Sequence, residues 1–147
     1  MIEVVGAPAL EAFAARLAHV VRAGDTIALV GELGAGKTSF ARGLLRGLGH
    51  GGDVPSPTFT LMQHYDPPGV RLPVWHVDLY RLDRPAEADA LALEEGGHAV
   101  TLIEWPERLG DRLDPNALRI HIEGAGEPSR RLTAHVPPAW EGRWPPR

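Results

Sequence analysis

The strongest constraint on the fold is the stretch "GELGAGKT" at positions 31–38, which lies between an apolar run and a helical pattern. The run before it, "TIALV" at 26–30, is continuously apolar, as in a strand that is covered on both faces. The residues after it, 37–49, carry leucine and phenylalanine at helical spacing and end in glycine. A strand, a glycine-rich turn and a helix in this order predict an α/β fold.

The same eight residues match the phosphate-loop pattern G-x-x-x-x-G-K-[ST] at every fixed position. The glycines let the backbone curl so that N–H groups point at phosphate oxygens, and the following helix adds the positive end of its dipole. We expect Lys37 to lie between the β- and γ-phosphates and the Thr38 hydroxyl to bind Mg²⁺. The residues expected to contact the nucleotide here are Glu32, Leu33, Gly34, Ala35, Gly36, Lys37, Thr38 and Ser39.

Lys37 is the only lysine among the fifteen Lys and Arg residues of the chain. A planar guanidinium differs from a compact ammonium in reach and shape, which gives a reason to keep a lysine in this loop. The alternative is a glycine-rich turn that binds nothing. The flanking strand, the flanking helix and the lone lysine together favour the phosphate site.

A phosphate-loop hydrolase also needs a carboxylate at the end of a buried strand, and the sequence offers two. Glu104 ends the apolar run "AVTLIEW", and Asp78 lies in the alternating strand "WHVDLY" on the same face as His76. Glu104 could instead cap a helix, and Asp78 could be an ordinary strand carboxylate. His76 and Trp105 are better explained by packing than by catalysis.

The remaining pattern predicts a P-loop NTPase-like sheet with helices on both faces and antiparallel strands at the edge. The other predicted elements are a helix at 8–22, a hairpin of strands at 58–65 and 72–80, a helix at 85–95, and two late strands, "ALRIHIE" and "RRLTAHV". We predict one phosphate-loop ATPase domain over residues 1–137. A proline-rich tail, 138–147, is expected at the surface.

Composition excludes several kinds of protein. The formal net charge of -4 argues against a chain that grips a nucleic-acid backbone by itself. The absence of cysteine excludes disulfides and thiolate metal sites. The sequence has no apolar run of membrane-spanning length and no secretory signal pattern, so a cytoplasmic protein without membrane contact is expected.

Four blocks, "GELGAGKTSF", "SPTF", "HVDLYRL" and "IEWPERL", occur in the order and at the spacings found in the TsaE family. The chain resembles this family over roughly residues 8–136. The resemblance implies that Thr38 and Glu104 bind Mg²⁺, and that Asp78 lies near the γ-phosphate or the attacking water. It also implies that Ser56, Pro57 and Thr58 form a switch-like loop in which Thr58 contacts the nucleotide.

The basic residue of the family's last strands is present as Arg130-Arg131, and Arg131 is taken as the nucleotide contact. One departure from the family is the start of the first helix, "APALEAF", which lacks the hydroxyl residue often found there. This departure leaves the contacts to the base open.

The implied function is Mg²⁺-dependent ATP binding and hydrolysis, with Lys37, Asp78 and Glu104 as the catalytic residues. The resemblance further implies a subunit that is slow alone and acts with the TsaB–TsaD complex. That complex makes threonylcarbamoyladenosine at tRNA position 37, so tRNA would be met only indirectly. This agrees with the acidic charge balance.

Other classes fit less well. A small-molecule kinase needs an arginine-bearing lid, but the only lid-like stretch, 84–98, is acidic and rich in alanine. A GTPase needs N-K-x-D, and the single lysine is already in the phosphate loop. A nucleotide-binding adaptor that hardly hydrolyses ATP overlaps with the family reading, and ATPase measurements with and without TsaB–TsaD would separate them.

Overall fold

The computed structural model describes residues 1–55 and 61–147. The strands are β1 (Ile2–Val5), β2 (Thr26–Val30), β3 (Met62–Tyr65), β4 (Val74–Asp78), β5 (Val100–Glu104), β6 (Leu118–Glu123) and β7 (Ser129–His135). The α-helices are α1 (Ala7–Leu17) and α2 (Lys37–Gly47). Short 3-10 helices span Pro85–Leu91, Leu93–Glu95, Pro106–Arg112 and Pro138–Trp140.

The strands form one sheet in the order β1-β7-β6-β2-β5-β4-β3. Strand β2 lies at its centre and pairs in parallel with β5 and with β6, and β5 pairs in parallel with β4. The outer pairs β3–β4, β6–β7 and β1–β7 are antiparallel. The predicted α/β sheet with antiparallel edge strands is therefore confirmed.

Both faces of the sheet are covered, as predicted, but by different kinds of helix. On one face α1 and α2 pack over strand residues such as Leu29 and Leu102 in the larger core. On the other face Ala88 and Leu109, from two of the 3-10 helices, pack against Val77 and Ile103. The two α-helices approach so closely that a Cβ at Gly43 would lie 2.2 Å from the Glu11 carbonyl oxygen.

Two element predictions need correction. The first helix ends at Leu17 rather than near 22. Beyond Leu17 the backbone hydrogen bonds join residues three apart, from the His19 N–H to the Arg16 carbonyl and from the Val20 N–H to the Leu17 carbonyl, so the chain turns there. The helix expected at 85–95 is a pair of 3-10 helices separated at Ala92, whose φ is +50°. The predicted hairpin is present as β3 and β4, although its positions 58–60 lie outside the described residues.

The expectation of a surface tail at 138–147 is wrong for several of its side chains. Trp140 is 1% exposed and belongs to the larger core. Trp144 packs edge-on against Phe13 of α1, with ring centroids 5.5 Å apart. Burying these large aromatic side chains stabilises the segment more than its proline content suggests.

Within residues 1–55 and 61–147, none of the helices has the length and apolar character that crossing a membrane requires.

Candidate functional site

The predicted site residues meet where the central parallel strands end. Strand β2 runs into the glycine-rich loop, and in the neighbouring strands Glu104 and Asp78 are directly paired across β5 and β4. In open α/β sheets the carboxyl ends of parallel strands form the crevice in which ligands bind. The sheet therefore brings the loop and both candidate acids to one edge.

The loop takes its shape from left-handed glycines and from the first helix. Gly34 and Gly36 have φ of +79° and +113°, which an L side chain rarely adopts. A Cβ at Gly36 would also lie 2.6 Å from a Leu10 methyl carbon of α1. Helix α1 thus packs against the point where α2 begins and leaves no room for a larger residue there.

Lys37 is buried at the first position of α2 and is 6% exposed. Its ammonium donates to the carbonyl oxygens of Gly31 and Glu32, the latter at 3.2 Å, and lies 3.9 Å from the centroid of the Trp105 ring. Burial lowers the pKa of Lys37, and the carboxylates of Glu104, Glu107 and Asp78 partly offset this shift. A cation is therefore held inside the loop by carbonyl oxygens and an aromatic face.

Thr38 and Glu104 form the second part of the site. The Thr38 Oγ1 lies 3.4 Å from each oxygen of the Glu104 carboxylate, which ends β5 and is 3% exposed. A hydroxyl oxygen and a carboxylate oxygen are the hard donors that Mg²⁺ prefers. The donor set of this pair fits a magnesium site.

Asp78 lies beside this pair and is also 3% exposed. Its Oδ1 accepts a hydrogen bond of 2.9 Å from the backbone N–H of Tyr80. A cavity of about 260 Å³ is lined by Glu32, Leu33, Gly34, Gly36, Lys37, Thr38, Ser39, Asp78, Glu104 and Trp105. Nearly all the residues predicted for the phosphate and metal site thus surround one cavity, while Ala35 lines the next one.

The two arginines of β7 differ in their contacts. Arg130 donates to the loop carbonyl oxygens of Ala35 at 2.9 Å and Gly34 at 3.4 Å. Arg131 pairs with Glu127 at 3.1 Å and lines the neighbouring cavity with Ala35. The structure therefore places Arg130 directly on the phosphate loop, and the nucleotide contact of Arg131 stays a prediction.

His76 and the predicted switch residues are the remaining parts of the predicted site. His76, which the sequence explained by packing, is fully buried, and its Nε2 lies 2.6 Å from Glu104 Oε2. Alternation along β4 placed His76 on the face of Asp78, but only the register with β5 brings it to Glu104. The predicted switch residues Ser56, Pro57 and Thr58 lie outside the described residues.

The strand order, the glycine loop and the acids at the strand ends define an α/β protein of P-loop NTPase-like fold. Residues 6–132 match the family described as "Threonylcarbamoyl adenosine biosynthesis protein TsaE". The chain belongs to this TsaE family, as its four sequence blocks predicted.

Individual relatives agree with this assignment. The tRNA threonylcarbamoyladenosine biosynthesis protein TsaE of Bacillus subtilis is 40% identical over 125 residues, 84% of this chain and 77% of the relative. The protein of that name in Streptomyces coelicolor is 41% identical over 123 residues, 82% of this chain and 83% of the relative. The crystal structure of Bacillus subtilis YdiB superposes with a TM-score of 0.81 at 32% identity, covering 97% of this chain and 88% of that one.

Proposed function

We propose that the protein is a Mg²⁺-dependent ATP-binding and ATP-hydrolysing subunit that acts in threonylcarbamoyladenosine formation at tRNA position 37. The names of its relatives support the pathway. The observation that carries the chemistry is the Thr38–Glu104 pair, in which a hydroxyl and a buried carboxylate lie 3.4 Å apart beside a phosphate loop.

ATP phosphates would be held by the loop residues 32–39. The backbone N–H groups at the start of α2 face the strand-end crevice, where the helix dipole favours negative charge. The Lys37 ammonium already lies in this crevice, bonded to Gly31 and Glu32 carbonyls that it can exchange for phosphate oxygens. Because burial makes the charged lysine less favourable, an added phosphate charge would raise its lowered pKa.

Thr38 and Glu104 would hold the magnesium ion. A bound Mg²⁺ would neutralise charge on the β- and γ-phosphates and so favour phosphoryl transfer. Asp78 lies in the same cavity and would accept a hydrogen bond from the attacking water, which orients that water toward the γ-phosphate. These roles make Lys37, Asp78 and Glu104 the catalytic residues.

The protein would act in the cytoplasm with TsaD and TsaB, and tRNA would be held by that complex. The acidic balance of the chain supports this division, because a protein of net charge -4 is a poor binder of a phosphate backbone. The "SPTF" segment, which lies outside the described residues, would report the nucleotide state to these partners.

Glu104→Gln tests the metal role. We expect the variant to keep much of its nucleotide affinity but to lose Mg²⁺-dependent hydrolysis, because a neutral amide is a weaker ligand for a hard cation. Glu107→Gln is the matched control, since Glu107 also lies near Lys37 but is exposed. Unchanged Mg²⁺ dependence in Glu104→Gln would move the metal role to Asp78.

ATPase rates with and without TsaB–TsaD test the coupling. Stimulation by the complex is expected. Equal rates, with phosphate transferred to a small molecule in place of water, would favour the kinase class. Recovery of TsaD with the tagged protein from the source cell would support the pathway, and its absence from such a pull-down would count against it.

A further inference from the structure

His76 makes one short polar contact from the buried strand β4. All five residues of β4 are buried, and the imidazole is 0% exposed. Its Nε2 lies 2.6 Å from Glu104 Oε2, across the parallel pairing of β4 with β5. A polar ring that is fully buried is stabilised mainly by its hydrogen bonds, so the identity of its partner, Glu104, indicates the role of the ring.

The other ring nitrogen identifies which atom donates. In the described part of the chain, Nδ1 of His76 is buried and has no hydrogen-bond partner. A carboxylate only accepts, so the short contact requires the proton on Nε2. The ring then donates to Glu104 and leaves the unpartnered Nδ1 as a bare acceptor, which is the arrangement with no buried N–H left unsatisfied.

This bond limits how the Glu104 carboxylate can turn. The terminal torsion of a glutamate is broad, so the carboxylate would otherwise rotate freely. The His76 bond holds Oε2 on the side of β4, while the Thr38 hydroxyl lies 3.4 Å from both Oε1 and Oε2. Outer partners of this kind orient a metal ligand and raise its affinity for the ion.

We propose that His76 is a positioning residue that holds the Glu104 carboxylate ready, with Thr38, to receive Mg²⁺. The proposal rests on the proposed function of the site. His76 acts through Glu104 and has no contact with the nucleotide assigned to it. Its contribution is therefore to metal affinity, and not to the binding of the phosphates themselves.

Two substitutions separate the hydrogen bond from the volume of the side chain. His76→Leu places an apolar side chain of similar size in the strand and removes the Nε2–H hydrogen-bond donor. His76→Gln places an amide N–H near the position of the imidazole Nε2–H and can replace the bond. Leu102→Val is the control, because Leu102 is buried opposite His76 in β5 and its truncation weakens the same core without touching Glu104.

The measurement is ADP and ATP-analogue binding by calorimetry over a series of Mg²⁺ concentrations, and again in EDTA. In His76→Leu we expect the Mg²⁺ concentration at half effect to rise about tenfold or more, with affinity in EDTA unchanged. His76→Gln should return this midpoint closer to that of the parent than to that of His76→Leu, because the amide N–H can replace the outer partner of Glu104. Leu102→Val should not move it.

The outcomes distinguish a failure of the proposed function from a failure of the positioning role of His76 alone. A parent protein that binds nucleotide equally with and without Mg²⁺ would overturn both the proposed function and the role of His76. A Mg²⁺-dependent parent with an unshifted midpoint in His76→Leu would overturn the positioning role alone. So would an equal shift in Leu102→Val.

A second measurement needs no variant and covers the case in which His76→Leu fails to fold. Nitrogen-15 NMR of the unmodified, nucleotide-free protein reports which ring nitrogen of His76 carries the proton. We expect the Nε2–H tautomer with a bare Nδ1. The Nδ1–H tautomer would leave Nε2 unable to donate to Glu104 and would overturn the proposal.

Discussion

The cations Lys37 and Arg143 are buried to a similar extent but differ in their hydrogen-bond partners. They are 6% and 8% exposed. Every N–H donor of the Arg143 guanidinium has a partner among Asp25, Val20 and Ala139, and the group lies 3.9 Å from the Trp140 ring centroid. Lys37 has carbonyl partners from its own loop and acids near it, but its hydrogen bonds go to no carboxylate.

The difference suggests how a structural cation can be told from one that is available to a ligand. A charge that is buried with all its hydrogen bonds made is stable in the folded chain and has nothing left to offer a ligand. A charge that is buried with weaker partners is held at a cost, and an anion entering the site relieves that cost. This difference indicates a structural role for Arg143 and supports the binding role proposed for Lys37.

The largest effect is expected for Arg143→Met. Removing the guanidinium breaks its ion pair with Asp25, in which the two side chains are only 9% and 12% exposed, and the free energy of unfolding should fall by about 3 kcal/mol. Urea unfolding measures this, with the exposed Arg147→Met as the control. ATP affinity of the folded variant should equal that of the parent. A loss below about 1 kcal/mol, the typical worth of one hydrogen bond, would contradict the structural role.

Lys37→Ala should show the reverse pattern. Charge-assisted bonds to phosphate contribute about 1.5–3 kcal/mol, so ATP affinity should fall roughly tenfold or more, while the stability of the nucleotide-free protein changes little. Lys37→Arg should also bind poorly, because a planar guanidinium does not fit the space of an ammonium.

Calorimetry with ATP measures both variants, and Arg46→Ala on the exposed face of α2 is the control. Binding of ATP by Lys37→Arg at the parent's affinity would show that charge alone matters. The shape of the lysine would then explain nothing about its retention in the loop.

The smallest effect is a pH dependence of stability. The pKa of Lys37 is lowered from its ordinary 10.5, so between the lowered value and 10.5 the unfolded chain binds more protons than the folded chain. Stability from this group therefore rises with pH in that window and falls as pH drops through it. Burial raises the pKa of Tyr65, which acts in the opposite direction above its ordinary 10.0.

Lys37→Met isolates the lysine contribution, because both proteins retain Tyr65. Urea midpoints measured from pH 8 upward should rise more with pH in the parent than in the variant. The difference stops growing once Lys37 is neutral in both the folded and the unfolded parent. Parallel curves would mean that the folded protein holds the charged lysine without penalty, and the contrast with Arg143 would be lost.

The parts of the molecule that the sequence predicted are those encoded by adjacent residues. The phosphate loop, the strand before it and the helix after it lie within residues 26–49, so their pattern is read directly. Glu104 was one of two candidate acids, with Asp78, because it ends an apolar strand. Its pairing with Thr38 was implied by the resemblance to the TsaE family, and it agrees with the rule that parallel strands end at the same edge.

The parts it missed depend on register and on distant packing. Residues 85–95 have helical composition, but covering the sheet face beside Val77 and Ile103 leaves them as two 3-10 helices. Whether Arg130 or Arg131 faces the loop depends on the pairing of β7 with β6, which alternation cannot fix alone. The Arg143–Asp25 pair joins positions that are 118 apart, and the tail was predicted to lie at the surface although Trp140 and Trp144 are residues that favour burial.

Because Lys37 is the only lysine of the chain, the protein is also convenient for chemical labelling. An amine-reactive acylating reagent attacks neutral amines, and this chain offers it only the amino terminus and one lysine side chain. The lowered pKa raises the neutral fraction of that amine, while a nucleotide in the crevice would block access to it and favour its charged form. The acylated fraction at position 37, read by mass spectrometry, would therefore report site occupancy directly, with the amino terminus as the internal reference.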